Sequence, residues 1–188
     1  MKFKETKLKG AYIVEIKKEK DKRGFFARSF CRNEFESNGL NADFVQNNIS
    51  SNSKKGTLRG MHYQVAPHEE VKLVSCLRGA IYDVIIDMRP SSSTYCRWVT
   101  IELTAENYRM LYIPVGFAHG FQTLKDNTVV FYQMSEFYHP KCARGVSWDD
   151  SMFSIKWPIK QLIISSKDKS YKSFNVCNFN RPLPIDYE

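Results

Sequence analysis

Apolar and polar positions alternate along most of this chain, in short runs broken by Gly and Pro. Ala11-Tyr-Ile-Val-Glu-Ile16 opens the pattern as a strand, and Lys20-Asp-Lys-Arg-Gly24 reads as the turn after it, with Gly24 free to take positive φ. Phe25 to Phe30 predicts a second strand. Arg32 to Gly39 has the spacing of a short helix, with Phe35 and Leu40 inward and Gly39 ending it. Phe44 to Ile49 is extended again, and Lys54-Lys-Gly56 turns it into Gly56-Thr-Leu-Arg-Gly-Met-His62-Tyr-Gln64. Arg78-Gly79 separates two strands, the second running from Ala80 to Met88. Past a loop at Pro90 to Thr94, Trp98, Thr100 and Glu102 alternate against Val99, Ile101 and Leu103 in the strand Arg97 to Leu103. Tyr108 to Ile113, Phe117 to Leu124 and Thr128 to Tyr138 predict three more.

Many short strands at regular spacing indicate an all-β sandwich or barrel. The pattern loosens after Trp148-Asp-Asp150 into Trp157-Pro158, a short apolar run at Leu162 to Ile164, and a polar tail. One domain over residues 1–188 is expected, with a core over about 8–150 and a C-terminal appendage over 151–188 that packs across it. A chain of 188 residues, 43% of them hydrophobic, can bury a real core. No apolar run approaches the ~20 residues that span a bilayer. Met1-Lys-Phe-Lys-Glu-Thr-Lys7 lacks the apolar region of a secretory signal, so no membrane partner and a cytoplasmic location are expected. Five cysteines (31, 76, 96, 142 and 177) with no Cys-x-x-Cys spacing read as reduced thiols, not as a disulfide framework or a zinc site.

The net charge of +8 suggests nucleic acid until its distribution is examined. Residues 1–23 carry nine Lys/Arg and four Asp/Glu, residues 156–188 carry six and three, and residues 24–155 carry thirteen of each. The body is neutral between two basic ends, which argues against a nucleic-acid partner. A small phosphorylated ligand needs only a few of these cations.

The candidate chemistry centres on the stretch from Gly56 to Gln64. It places Arg59 and His62 three apart on an extended segment, ahead of Lys72, the lone cation in the apolar run Val71 to Leu77. Lysine is seldom buried without a partner or a task. On a regular strand Arg59 and His62 face opposite ways, so both serve one cavity only if the strand bulges, and Gly60 between them is the residue to mark a bulge. Pro114-Val-Gly-Phe-Ala-His119 has the Pro-x-Gly-x-x-His spacing of the second cupin motif, which aims its histidine into a jelly roll. A metal-binding cupin needs further ligands where this chain has His62-Tyr-Gln64, and His68, Glu69 and Glu70 in the next loop restore no three-histidine set, so no metal is expected.

Acid–base chemistry remains. A neutral histidine, with a reference pKa near ~6.5, is available as a base at neutral pH. Abstracting a proton beside a carbonyl makes an enolate, which Lys72 can steady; at ~4 Å and an effective dielectric of ~20 the attraction is about 4 kcal/mol. Tyrosine, with a reference pKa near ~10, stays protonated and can return the proton, and Tyr132 is the candidate. Alternation along Thr128 to Tyr138 puts Tyr132 and Tyr138 on one face, about 20 Å apart, comparable to an extended nucleotide-sugar.

The sequence resembles the nucleoside-diphosphate 4-keto-6-deoxysugar 3,5-epimerases of the cupin superfamily, whose type member is the deoxythymidine-diphosphate enzyme of rhamnose biosynthesis. The likeness runs from residue 8 to about 170. It is carried by Arg23-Gly-Phe-Phe26, Phe44 to Asn48, Leu58 to Gln64, Lys72-Leu-Val74, Arg78-Gly79, Ile113 to Phe121, Tyr132, Tyr138 and Arg144 to Asp150. The resemblance implies a cupin-type jelly roll without metal or redox cofactor, acting in deoxysugar supply for lipopolysaccharide or O-antigen. It implies a nucleotide-linked 4-keto sugar as substrate and a homodimer in which the partner's N-terminal strand lends part of each site. By match, His62 resembles the general base, Asp168 the carboxylate that orients it, Lys72 the enolate's support and Tyr132 the acid on the opposite face. Tyr138 resembles the platform that stacks on the base, and Arg23, Gln46, Asn48, Arg59 and His119 the contacts to diphosphate and sugar.

Two positions depart from the pattern. Arg28 stands where the rhamnose enzymes usually carry a glutamate, and Ala143 where they usually carry an acidic residue. Arginine has donors and no acceptor, which suits the acceptor edge of cytosine better than thymine, so a cytidine-diphosphate sugar is one expectation from Arg28. A single-carbon epimerase and a 3,4-ketoisomerase of the same fold are neighbouring readings. A jelly-roll sugar-binding module and a metal-dependent cupin oxygenase are readings from other classes.

Overall fold

The computed structural model describes residues 1–174, so the end of the expected appendage, including Cys177, lies outside the described residues. In chain order the strands begin with β1 (Lys2–Glu5), β2 (Tyr12–Glu15), β3 (Glu19–Asp21), β4 (Gly24–Phe26) and β5 (Gln46–Asn52). They continue with β6 (Thr57–Gln64), β7 (Lys72–Arg78), β8 (Ala80–Asp87), β9 (Trp98–Thr104) and β10 (Arg109–Ile113). The last are β11 (Phe117–Thr123), β12 (Thr128–Met134), β13 (Ala143–Gly145) and β14 (Ile163–Ile164). Two short helices, α1 (Arg32–Glu36) and α2 (Ser166–Lys169), complete the described elements.

The strands form two packed antiparallel sheets, the jelly roll expected from the sequence. One sheet has the order β1-β2-β10-β7-β12-β5 and the other β13-β6-β11-β8-β9, with β14 alongside β6. Strand alternation sends Val74, Cys76, Ile81, Ile85, Leu111 and Phe121 into the space between the sheets, where they are buried together. The outer faces are covered as well. Phe35 of α1 packs with Val14, Leu73 and Tyr112 on the first sheet. Phe153 packs with Met61, Val84 and Trp98 on the second, where Trp98 Nε1 donates to Phe153 O at 2.8 Å. Coverage on both sides explains why β8 is buried at every position but Tyr82 and shows weak alternation.

Three elements are shorter than the sequence predicts. The strand expected over Phe25 to Phe30 ends at Phe26, because β4 pairs only with β3 in a two-stranded hairpin. The helix ends at Glu36, ahead of Gly39. The strand expected to reach Tyr138 ends at Met134, so Tyr132 and Tyr138 do not share a strand face and the 20 Å spacing drawn from it does not apply. β1, β3, β13, β14 and α2 were not foreseen, and β3 takes Lys20 and Asp21 from the expected turn: each has two to four residues, too few to show a period, and each strand among them is fixed by its pairing partner.

The bulge expected in β6 is present. Pairing with β11 runs His119 against His62 but Phe121 against Arg59, so one extra residue on β6 is taken up at Gly60. Gly60 has φ +130, a region that side chains rarely enter, and a Cβ there would lie 2.5 Å from Gly120 Cα and 2.9 Å from His119 O. Both neighbours are backbone and cannot swing away. Gly60→Ala is therefore expected to cost about 1–3 kcal/mol, which is a Tm lower by roughly 2–12 °C for a chain of this length. A Tm unchanged by this substitution would show that the β6–β11 approach is looser than described.

Candidate active site

Between the sheets, beyond the apolar core, lies a cavity of about 530 Å³, within the range of small-molecule sites. Arg59, His62 and His119 enter it from the second sheet, and Lys72, Tyr132 and Met134 from the first. The bulge at Gly60 is what lets Arg59 and His62 share it, since they reach the same cavity from positions of opposite phase. Tyr138, Lys167 and Tyr171 close in from segments outside the sheets.

His62 Nε2 lies 2.7 Å from Asp168 Oδ1. Asp168 is 4% exposed and sits in α2, whose first turn is capped by Ser165 Oγ accepting from the Asp168 amide at 3.0 Å. Its other oxygen accepts from Gly60 N at 3.4 Å. Burial opposes the charge of Asp168, but the hydrogen bond and charge of His62, with the Gly60 amide, outweigh it and hold the carboxyl below its usual range. An ionised carboxylate only accepts, so Nε2 carries the proton and Nδ1 keeps its lone pair. That is the arrangement of a histidine set to act as a base.

A second histidine–carboxylate pair stands beside the first. His119 is the cross-strand neighbour of His62, and its Nε2 lies 2.7 Å from Asp83 Oδ1 on β8. Asp83 is fully buried and its Oδ2 has no hydrogen-bond partner among the described residues. Burial pushes its carboxyl above the usual range, against the opposing pull of His119 and Lys72. The two dyads are thus unlike: one carboxyl is favoured as the anion and the other is not.

Lys72, the lone cation of its run, is 8% exposed and has an acidic partner. Its Nζ pairs with Glu70 Oε1 at 2.8 Å and reaches His62 O at 3.4 Å, while Glu70 Oε2 accepts from Gln64 N at 3.1 Å. One of three ammonium donors meets the carboxylate and a second the carbonyl, leaving one for a ligand. Tyr132 packs against the inter-sheet core, and burial raises its phenol pKa, opposed by Arg59. The phenol is therefore a proton donor throughout the neutral range.

The cavity brings together His62, Lys72, Tyr132, Arg59, His119 and Tyr138, with Asp168 directly behind His62. Arg23, Arg28, Gln46 and Asn48 do not line it in this chain. Arg23 pairs with Asp21 at 2.6 Å on the exposed β3–β4 hairpin. Arg28 has a 64% exposed side chain, and its Nη1 meets Glu34 Oε1 at 3.5 Å. Gln46 Oε1 accepts from the Tyr138 amide at 2.6 Å, and Asn48 Nδ2 meets Met134 Sδ at 3.5 Å, so both support cavity residues from behind. Ala143 and Arg144 of β13 also line the space.

Sequence reasoning missed Asp83, Lys167 and Tyr171. Asp83 carried a usable signal, a carboxylate in the otherwise apolar inward row Ile81, Asp83, Ile85. Ser165-x-x-Asp168 is a helix-start spacing that would have placed α2. Tyr171, whose ring meets that of His62 edge-on at 5.8 Å between centroids, had none.

The family model described as dTDP-4-dehydrorhamnose 3,5-epimerase matches residues 5–175. A protein of that name from Methanothermobacter thermautotrophicus is 44% identical over 173 residues, covering 90% of this chain and 92% of its own length. The crystal structure of the dTDP-4-dehydrorhamnose 3,5-epimerase from Elizabethkingia anophelis NUHP1 superposes with a TM-score of 0.90 at 42% identity, over 93% of this chain and 96% of that one. A dTDP-6-deoxy-D-glucose-3,5-epimerase from Legionella pneumophila, solved in complex with dTDP-4-keto-L-rhamnose, gives 0.87 at 36% identity over 99% of both chains. The match spans both sheets, the cavity between them and the tail segment that carries Asp168, and the chain belongs to the dTDP-4-dehydrorhamnose 3,5-epimerase family.

Proposed function

We propose that this chain inverts the two carbons flanking the keto group of a dTDP-linked 4-keto-6-deoxyhexose, with the residues of the cavity in defined roles. The observation that carries the reading is the opposition of His62, backed by Asp168 on one side of the cavity, to Tyr132 on the other sheet. A sugar between the sheets meets a base from one side and an acid from the other.

His62 Nδ1 takes the proton from a carbon beside the keto group, and the C–H electron pair becomes the enolate. Asp168 stabilises the imidazolium that forms. The remaining Lys72 donor meets the enolate oxygen; Glu70 offsets part of the lysine charge, so the stabilisation is below the ~4 kcal/mol of an unpaired cation at ~4 Å. Tyr132 O–H then delivers a proton to the carbon from the opposite side and the enolate collapses back to the ketone. Water returns a proton to the phenolate and accepts the one on His62. Repeating the exchange at the second flanking carbon completes the inversion.

The dTDP reading rests on the relatives' names and on the dTDP-sugar bound in the Legionella enzyme. Arg28, 64% exposed and beside Glu34, lies outside the cavity of its own chain and lends the cytidine alternative no support there. A homodimer is the matching assembly. The β3–β4 hairpin pairs with no other strand, and it exposes Phe26 (76%) beside Arg23, as a segment would that completes a partner's cavity. Residues 1–188 are taken as one domain acting in the cytoplasm. Among the described residues no helix is long and apolar enough to cross a membrane, and Cys31, Cys76, Cys96 and Cys142 are free thiols.

His62→Ala is expected to lose about 10²–10⁴-fold in turnover while still binding dTDP, and near-normal epimerisation by this variant would end the assignment. Tyr132→Phe keeps the base and removes the acid, so hydrogen exchange with solvent should survive better than inversion; equal loss of both would make Tyr132 a positioning residue. The shared site is tested by mixing. Arg23→Ala and His62→Ala chains, each inactive alone, should recover about a quarter of wild-type activity on subunit exchange, because half the dimers then hold one intact site. No recovery in a mixture shown to exchange would refute the lent arginine.

A further inference from the structure

A second cluster of chemically competent side chains lies close to the cavity and takes no part in the proposed reaction. His68, between β6 and β7, and Glu136 and His139, after β12, bring their ligand atoms within 4.8 Å of one another. His68 Nδ1 is 3.8 Å from Glu136 Oε2, and His139 Nε2 is 3.8 Å from Glu136 Oε1. The two imidazoles stack with centroids 3.4 Å apart and planes 13° from parallel.

Two further observations separate this cluster from a chance meeting of surface groups. His68 Nδ1 is buried and has no hydrogen-bond partner among the described residues, an unfavourable state for a ring nitrogen unless something else satisfies it. The two loops are also locked in register by Gln64. Its Nε2 donates to His68 O at 2.8 Å and to Phe137 O at 3.2 Å, and its Oε1 accepts from His139 N at 2.6 Å. One buried side chain thus holds the backbone at both histidines.

We propose that His68, Glu136 and His139 bind a single divalent transition-metal ion, zinc being the best match. Two imidazoles and a carboxylate with a fourth position for water form a zinc ligand set, whereas calcium and magnesium prefer all-oxygen ligands. Metal–ligand distances of ~2.0–2.1 Å in a tetrahedron put ligand atoms roughly 3.3 Å apart. The 3.8 Å histidine–glutamate gaps need to close by about half an ångström, and one imidazole must turn out of the parallel stack so that both in-plane lone pairs face the ion. The ion would staple the loop before β7 to the loop after β12. Tyr138, which lines the cavity, sits between the Gln64-held carbonyl of Phe137 and the ligand His139, so the staple fixes the segment that presents it. His62 and His119 stand outside the cluster, whose ligand atoms come from His68, Glu136 and His139 among the described residues.

The test uses the full chain, free of any affinity tag and stripped with EDTA, titrated with zinc chloride by calorimetry and checked by metal analysis. One zinc per chain is expected, with Tm rising by about 5–11 °C at zinc about a hundredfold above Kd. His68→Gln and His139→Gln should each weaken binding by more than the roughly 10–100-fold that losing an outer-shell partner costs. Cys142→Ser, in the same loop, should leave binding intact. Cobalt in place of zinc should give a tetrahedral d–d spectrum without a thiolate charge-transfer band, and zinc should slow amide exchange over residues 136–142 in the wild type but not in the histidine variants. The proposal is overturned by absence of zinc uptake, by full affinity in a folded His68→Gln/His139→Gln double variant, or by loss of binding in Cys142→Ser. None of these readouts depends on epimerase activity.

Discussion

The 2.7 Å contact between His62 Nε2 and Asp168 Oδ1 joins residues 106 apart in sequence, and much of the molecule exists to make it. A carboxylate that is 4% exposed is costly unless it is paired and hydrogen-bonded. Asp168 meets that cost with His62 and the Gly60 amide, on a short helix that Ser165 caps. To reach this place the chain must leave the second sheet, cross its outer face under Phe153, and return as β14. That two-residue strand runs parallel to β6, with Ile163 opposite Thr57. The tail therefore belongs to the candidate site. A truncation that removed it would leave His62 without its orienting partner and the second sheet with an uncovered face.

The second constraint is the phase of β6. An uninterrupted strand would present either Arg59 or His62 to the cavity, never both. The extra residue at Gly60 resets the alternation, and close backbone approach to Gly120 excludes a side chain there. Opposing sheets then supply the groups to which the proposed reaction gives opposing roles, Arg59 and His62 from one, Lys72 and Tyr132 from the other. In the proposed reaction, reprotonation from the far side, and with it inversion, follows from placing His62 and Tyr132 on different sheets.

Much of this was legible in the residues, for physical reasons that can be named. Long strands with regular alternation, such as β9, announced themselves, and so did the bulge, because Arg59 and His62 conflicted in phase across a glycine. Lys72 stood out as a cation in an apolar run, yet its partner Glu70 did not, because only the fold turns that loop residue inward. Asp168 was visible solely through family resemblance: in a polar tail nothing local distinguishes a buried carboxylate from a solvated one. Tyr138 was placed on the wrong element, since the aromatic pattern continues for four residues after β12 loses its pairing partner at Met134. The positions of Arg23 and Arg28 follow from the hairpin and from Glu34, long-range or local pairings that periodicity does not encode.

The account stands on proton removal at both carbons beside a keto group by one histidine. The most direct measurement is to incubate the wild-type chain with a dTDP-linked 4-keto-6-deoxyglucose in deuterated water and locate the label by NMR. Solvent deuterium at both flanking carbons, with inversion at each, is the predicted result. A chain that binds the nucleotide sugar and leaves both carbons unlabelled would contradict the account and point to a jelly roll that binds without chemistry.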